Sequence, residues 1–108
     1  MTDDDALPSL QEGMLDDAML DALFGDIAQG AELLEIVWKG GAEAYAGDPD
    51  AAASLAAARA ALRERTVFGV QLRYVHAGTE WWDTLMLVSG GTRLVRMNRS
   101  HLAAMAPT

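Results

Sequence analysis

The chain has no cysteine. That excludes disulfide cross-links and thiolate metal sites, so the fold must stand on packing and hydrogen bonding. Histidine is almost as scarce. His76 and His101 are the only two, and neither has a second ligand at metal-binding spacing. Two isolated histidines also give a Ser-His-Asp arrangement nothing to build on. Neither phosphate-binding glycine pattern occurs, and Lys39-Gly40-Gly41-Ala42 is too short to cradle a phosphate. Asp3-Asp4-Asp5 and the Asp17/Asp21 pair lack the spacing of a calcium loop. No cofactor, metal or catalytic constellation is therefore expected. No apolar run approaches a membrane span, and the acidic start lacks the basic and apolar segments of a secretion signal. A cytoplasmic protein with no membrane partner is the expectation.

Basic residues are missing from one whole stretch. Residues 1–38 hold ten Asp and Glu and no Lys or Arg, whereas residues 39–108 hold eight Lys and Arg against six Asp and Glu. The net charge of −8 is thus concentrated at the front. Such a field speeds encounter with a basic protein and repels phosphates, which makes nucleic acid a poor partner. An ordinary solvated helix face would look the same.

With 108 residues, half of them apolar, the chain fits one domain. Residues 1–8 read as a disordered acidic tail and 9–108 as the folded unit. Ser9-Leu10-Gln11-Glu12 fits a capping box opening a helix. Its apolar positions Leu15, Met19, Leu23 and Ile27 recur every four residues, and Gly30 supplies a left-handed stop. Residues 33–39 follow as a strand, with Leu34, Ile36 and Trp38 alternating with Glu35, Val37 and Lys39. Asp48-Pro49-Asp50 opens a second helix running to about Arg65, with a thin stripe of Ala51, Leu55, Ala58 and Leu62. Residues 67–76, 79–88 and 92–98 alternate as three strands joined by short glycine-containing turns, a meander. A final turn of helix is expected in the tail after Ser100. The fold class is α+β: two helices on one face of a small antiparallel sheet, in the order α-β-α-β-β-β.

Trp81 and Trp82 are adjacent in a strand, so they point to opposite faces. If Ala77-Gly78 is a two-residue turn, Tyr74 lies opposite Trp81, Leu72 opposite Asp83, Val70 opposite Leu85 and Phe68 opposite Leu87. That face is rich in large apolar groups and is taken as the core. Trp82 falls on the other face across from Arg73, where a guanidinium can stack on the indole. A two-residue turn at Gly90-Gly91 sets Leu94 opposite Leu87 and Arg96 opposite Leu85, diagonal to Asp83. A three-residue turn would instead send Arg93, Val95 and Met97 inward.

Two surfaces emerge as candidates. The outer face gathers Arg73, Trp82, Met86, Arg93, Met97 and Arg99, residue types enriched at interface centres. It suggests a protein-interaction module: an adaptor, accessory subunit, immunity-type inhibitor or regulator. The partner would be another protein, basic if the acidic helix steers it, or a second copy whose acidic helix docks on this face. The alternative is a small anionic-ligand sensor or enzyme with a pocket around Tyr74, Trp81, Asp83 and Arg96. A structural Asp83–Arg96 ion pair would explain the same residues.

Overall fold

A computed structural model of the chain describes residues 10–40 and 51–99. The acidic start 1–8, Ser9, the Asp48-Pro49-Asp50 cap and the expected turn after Ser100 lie outside the described residues. Along the chain come β1 (Leu10–Leu15), α1 (Asp17–Gly30), β2 (Glu32–Lys39), α2 (Ala51–Glu64), β3 (Gly69–His76), β4 (Thr79–Val88) and β5 (Gly91–Asn98). The strands form one antiparallel sheet in the order β1-β5-β4-β3-β2. The architecture is the expected α+β one, with an additional strand at its front.

That strand replaces the start of the expected helix. Leu10–Leu15 lies along β5 as an edge strand, and Glu12 forms an ion pair with Arg93 at 3.0 Å instead of closing a capping box. Pairing with a neighbouring strand outweighs a short local helix signal that Gly13 already weakens. The cap is Asp16, whose carboxylate accepts the Met19 amide at 2.8 Å. The buried stripe of α1 is consequently Leu20, Phe24 and Ile27, with Leu23 at its flank, while Met19 is 52% exposed. Gly30 is simply the last helical residue. The helix ends because Ala31 is extended, its amide still reaching the Ile27 carbonyl.

The stripe read in α2 holds: Leu55, Ala58 and Leu62 are buried. Its end is a Schellman motif, with Thr66 N–H on the Ala61 carbonyl and Arg65 N–H on that of Leu62. The left-handed residue there, usually glycine, is Arg65 at φ 59°. In β2 a bulge between Leu33 and Glu35 shifts the alternation. Leu33, Ile36 and Trp38 therefore pack on the core, and Leu34, expected to point inward, is exposed.

Ala77 and Gly78 both take positive φ, 53° and 81°, as a tight hairpin requires. The β3–β4 register is the expected one, with Tyr74 opposite Trp81 and Arg73 opposite Trp82. The next turn falls on Ser89 and Gly90, one residue earlier than expected, because Gly91 already pairs with Val88. A side chain at Gly91 would crowd the Leu15 carbonyl of β1 at 3.2 Å, so this glycine serves strand approach. All β4–β5 pairings slide by two. Leu94 sits opposite Leu85 and Arg96 directly opposite Asp83. A slide of two leaves every side chain on its assigned face, so Arg93, Val95 and Met97 remain outside.

Both helices contribute to one core, with Val70, Leu72, Tyr74 and Leu85 of the sheet. Phe68, expected in that core, precedes β3 in a bend and is 70% exposed. Among the described residues no helix is long and apolar enough to cross a membrane.

Candidate functional site

The sheet has one face under helices and one face that no described element covers. Reading across the strands β1, β5, β4, β3 and β2, the outer face falls into rows. The first row is Met14, Arg93, Met86, Gly69 and Lys39. The second is Glu12, Val95, Thr84, Gln71 and Val37. The third holds Met97, Trp82, Arg73 and Glu35, and the fourth Glu80, Val75 and Glu32, while Arg99, just past the end of β5, reaches this face over the Trp82 ring. All six contact residues named from the sequence lie on this face.

Three of them form one stack. The Arg73 guanidinium lies 3.9 Å from the centre of the Trp82 ring and that of Arg99 5.3 Å. The indole N–H donates to Glu80 at 2.8 Å. Arg73 also donates to Gln71 at 2.8 Å and to Glu35 at 3.0 Å, and Gln71 donates to Thr84 at 2.8 Å. Trp82 is therefore a platform that orders two arginines, with Met97 directly across from it. Met86 and Arg93 stand in the first row, apart from the stack. Sequence reasoning missed the acids: Glu12, Glu35 and Glu80 each hold a cation or donor of this face. Residue parity would have found Glu80. Glu12 was assigned to a helix, and Glu35 needed the pairing of β2 with β3 that sets it beside Arg73. The face carries Lys39, Arg73, Arg93 and Arg99 against Glu12, Glu32, Glu35 and Glu80, which balances to no net charge.

The acids of α1 are partly engaged within the chain. Arg59 of α2 is buried and donates to Asp21 at 2.7 Å and Asp17 at 3.3 Å, and Arg63 reaches Asp21 at 3.2 Å. The hydrogen bond from Arg59, reinforced by the nearby positive charges, lowers the Asp21 carboxyl below its ordinary value.

The four pocket residues also come together. Asp83 is 0% exposed. Arg96 donates to its two oxygens at 2.9 and 2.8 Å, and Tyr74 adds its hydroxyl at 2.8 Å. The Arg96 guanidinium lies 6.0 Å from the Trp81 ring centre. Its hydrogen bonds to Asp83 raise the arginine further above its ordinary value, while burial and the Asp83 charge push the Tyr74 phenol up. Beside this group opens a cleft of about 510 Å³ between the end of α1 and the sheet, lined by Leu23, Ile27, Asp26, His76, Trp81 and Arg96 among others. The α1 and His76 walls were not foreseen, because they depend on how the helix crosses the sheet. Among the described residues no group of three or more His, Asp or Glu could hold a metal ion.

Comparison with known proteins finds no matching family model, no significantly similar curated protein and no significantly similar solved structure.

Proposed function

We propose that the protein is a small cytoplasmic interaction module that docks through its uncovered sheet face, acting as an adaptor, accessory subunit, immunity-type inhibitor or regulator. One observation carries this reading: four of the five strands present Trp82, Met86, Met97, Met14, Val95 and Val37 on a face that no described element covers. Apolar side chains set among ion-paired Arg and Glu, with an ordered Arg-Trp-Arg stack, are residue types that interfaces favour. The balanced charge of the face gives no net field to attract nucleic acid.

The test is affinity capture read by mass spectrometry, with wild type, Trp82→Ala and Val95→Lys side by side. A protein recovered by the wild type and lost with both variants supports the reading. The same proteins recovered by all three baits overturn it. Trp81→Ala is the companion control. Trp81 packs against the core, so its removal costs about 3 kcal/mol of stability, against about 1 kcal/mol for Trp82→Ala. Equal losses in urea unfolding would refute the division of the two tryptophans between faces.

The cleft supports a second reading, a site for a small carboxylate with a planar apolar body. A buried carboxylate fixes Arg96 beside an aromatic wall in a cavity of ligand size. A thermal shift with benzoate-like carboxylates, abolished by His76→Ala and by Arg96→Met, supports it. A flat response across a broad panel of anions rejects it.

A further inference from the structure

Resting on the reading that the outer face is an interface, we infer that its occupant is a second copy of this chain, packed sheet to sheet about a two-fold axis. Three features of the face point there.

The first is size. Five strands at about 4.8 Å spacing and eight residues at about 3.4 Å each give a face of roughly 24 by 27 Å, or roughly 1,300 Å² for two copies. That lies within the range of standard stable interfaces.

The second is charge. A chain of net charge −8 repels its own copy except where the approaching surfaces are neutral. The outer face is the neutral one. The exposed acids Asp16, Asp17, Asp21 and Asp26 belong to α1 and its cap, on the opposite side of the sheet. Face-to-face packing puts the two α1 helices on the two outer surfaces of the pair, as far apart as the molecule allows. The alternative, an acidic helix docking on the sheet, would add carboxylates to a face on which two of the four cations already have carboxylates. Arg73 and Arg93 are paired there at 3.0 Å each.

The third is the order of the rows. The first row contains the cations Arg93 and Lys39, and the fourth contains Glu80 and Glu32. A two-fold axis in the interface, running across the strands, lays the first row of one copy over the fourth row of the other. Lys39 then meets Glu32 of the other copy, and Val95 lies over Met97. Arg93 and Arg99, which follows the end of β5, would approach one another, but the Arg99 guanidinium is held 5.3 Å from the centre of the Trp82 ring. An axis along the strands would instead lay Glu80 over Glu80 of the other copy and Lys39 over Met14, with no carboxylate opposite it. Electrostatics therefore selects the first arrangement, an isologous pair close to the usual aligned packing of sheets.

Sedimentation equilibrium with charge-swapped variants tests this. The wild type is expected to reach twice the 11.5 kDa chain mass, with a Kd at or below about 10 μM. Val95→Lys should weaken it at least about 100-fold, since two buried ammonium groups would meet near the axis. Lys39→Glu and Glu32→Lys should each weaken self-association about tenfold. Carried together in one chain, or mixed as two separate single variants, they should restore it, because each restores opposite charges across the axis. Near-ultraviolet circular dichroism of the tryptophans checks that every variant is folded. A wild type that stays monomeric at about 500 μM, above any useful affinity for self-association, overturns the inference. So does a dimer indifferent to Val95→Lys, or singles that neither weaken association nor rescue each other. A monomer that still captures another protein in a Trp82-dependent way leaves the interaction reading standing and refutes only the second copy as occupant.

Discussion

Removing Arg96 strands a charge. In Arg96→Met the fully buried Asp83 keeps the Tyr74 hydroxyl and loses both guanidinium bonds, at 2.9 and 2.8 Å. Breaking a buried ion pair from one side costs about 3–5 kcal/mol. The Arg96 side chain is 28% exposed, so water already solvates part of the pair, and the loss belongs at the low end, about 3 kcal/mol. A domain of this size has only about 5–15 kcal/mol in total. Urea unfolding followed by tryptophan fluorescence reports it directly. With an m-value of about 1.5 kcal/mol/M, the midpoint should fall by about 2 M. The triple variant Tyr74→Phe, Asp83→Leu, Arg96→Met leaves no group unsatisfied and should return to within about 1 kcal/mol of the wild type. A loss below about 1 kcal/mol in Arg96→Met would refute the reasoning. So would single-variant losses that simply add up to that of the triple variant, since additivity means independent sites.

Arg59→Leu should be nearly neutral or stabilising in thermal denaturation: the arginine is buried with one guanidinium nitrogen, Nη1, unpartnered, and Asp17 and Asp21 stay hydrated when it goes. Ala77→Gly and Arg65→Gly should each raise stability by about 1 kcal/mol in urea unfolding, because both residues occupy left-handed backbone that a Cβ disfavours. Tyr74 links folding to alkaline pH. Its phenol is raised in the fold above the ordinary value of 10.0, so above pH 10 the unfolded chain releases a proton that the folded chain keeps, and stability falls as pH rises. In a Tyr45→Phe background, the 295 nm absorbance of phenolate should appear only as the protein unfolds. Asp21 works in the opposite range. Its lowered carboxyl contributes stability above about pH 4 that is lost on acidification below it, and Asp21→Asn should flatten that limb of the stability profile.

The C-terminal meander was legible because its determinants are local. The Ala77-Gly78 turn and the alternation of 69–88 fix which residues face which, so the division of Trp81 from Trp82 and the stacking of Arg73 on Trp82 could be read directly. Gly90-Gly91 offered two placements of a turn, and the choice between them rests on β1 lying beside Gly91. A residue seventy-six positions away, Leu15, decides it, and no local pattern shows that. The front of the chain misled for the same reason. Ser9 to Glu12 is a sound capping sequence, and only the free edge of β5 makes a strand the better outcome. Phe68 and Leu34 alternated into the core on paper and lie outside it, one in a bend and one on a bulge. The Arg59 bridge to Asp17 and Asp21 depends on how two helices cross. Side-chain parity along one strand was therefore readable, and contacts between distant elements were not.

The bulge at Leu34 also governs how this protein behaves when it is crowded. An open sheet has two unpaired edges, and a straight edge is a template on which further copies can add strands without limit. Among the described residues one edge, β2, is kinked near its start and carries Glu32, Glu35 and Lys39, while the other, β1, is interrupted by Gly13. Neither offers a long flat register for a neighbour. Both features work against growth along the hydrogen-bonding direction. Deleting Leu34 would straighten β2 and remove the first of them.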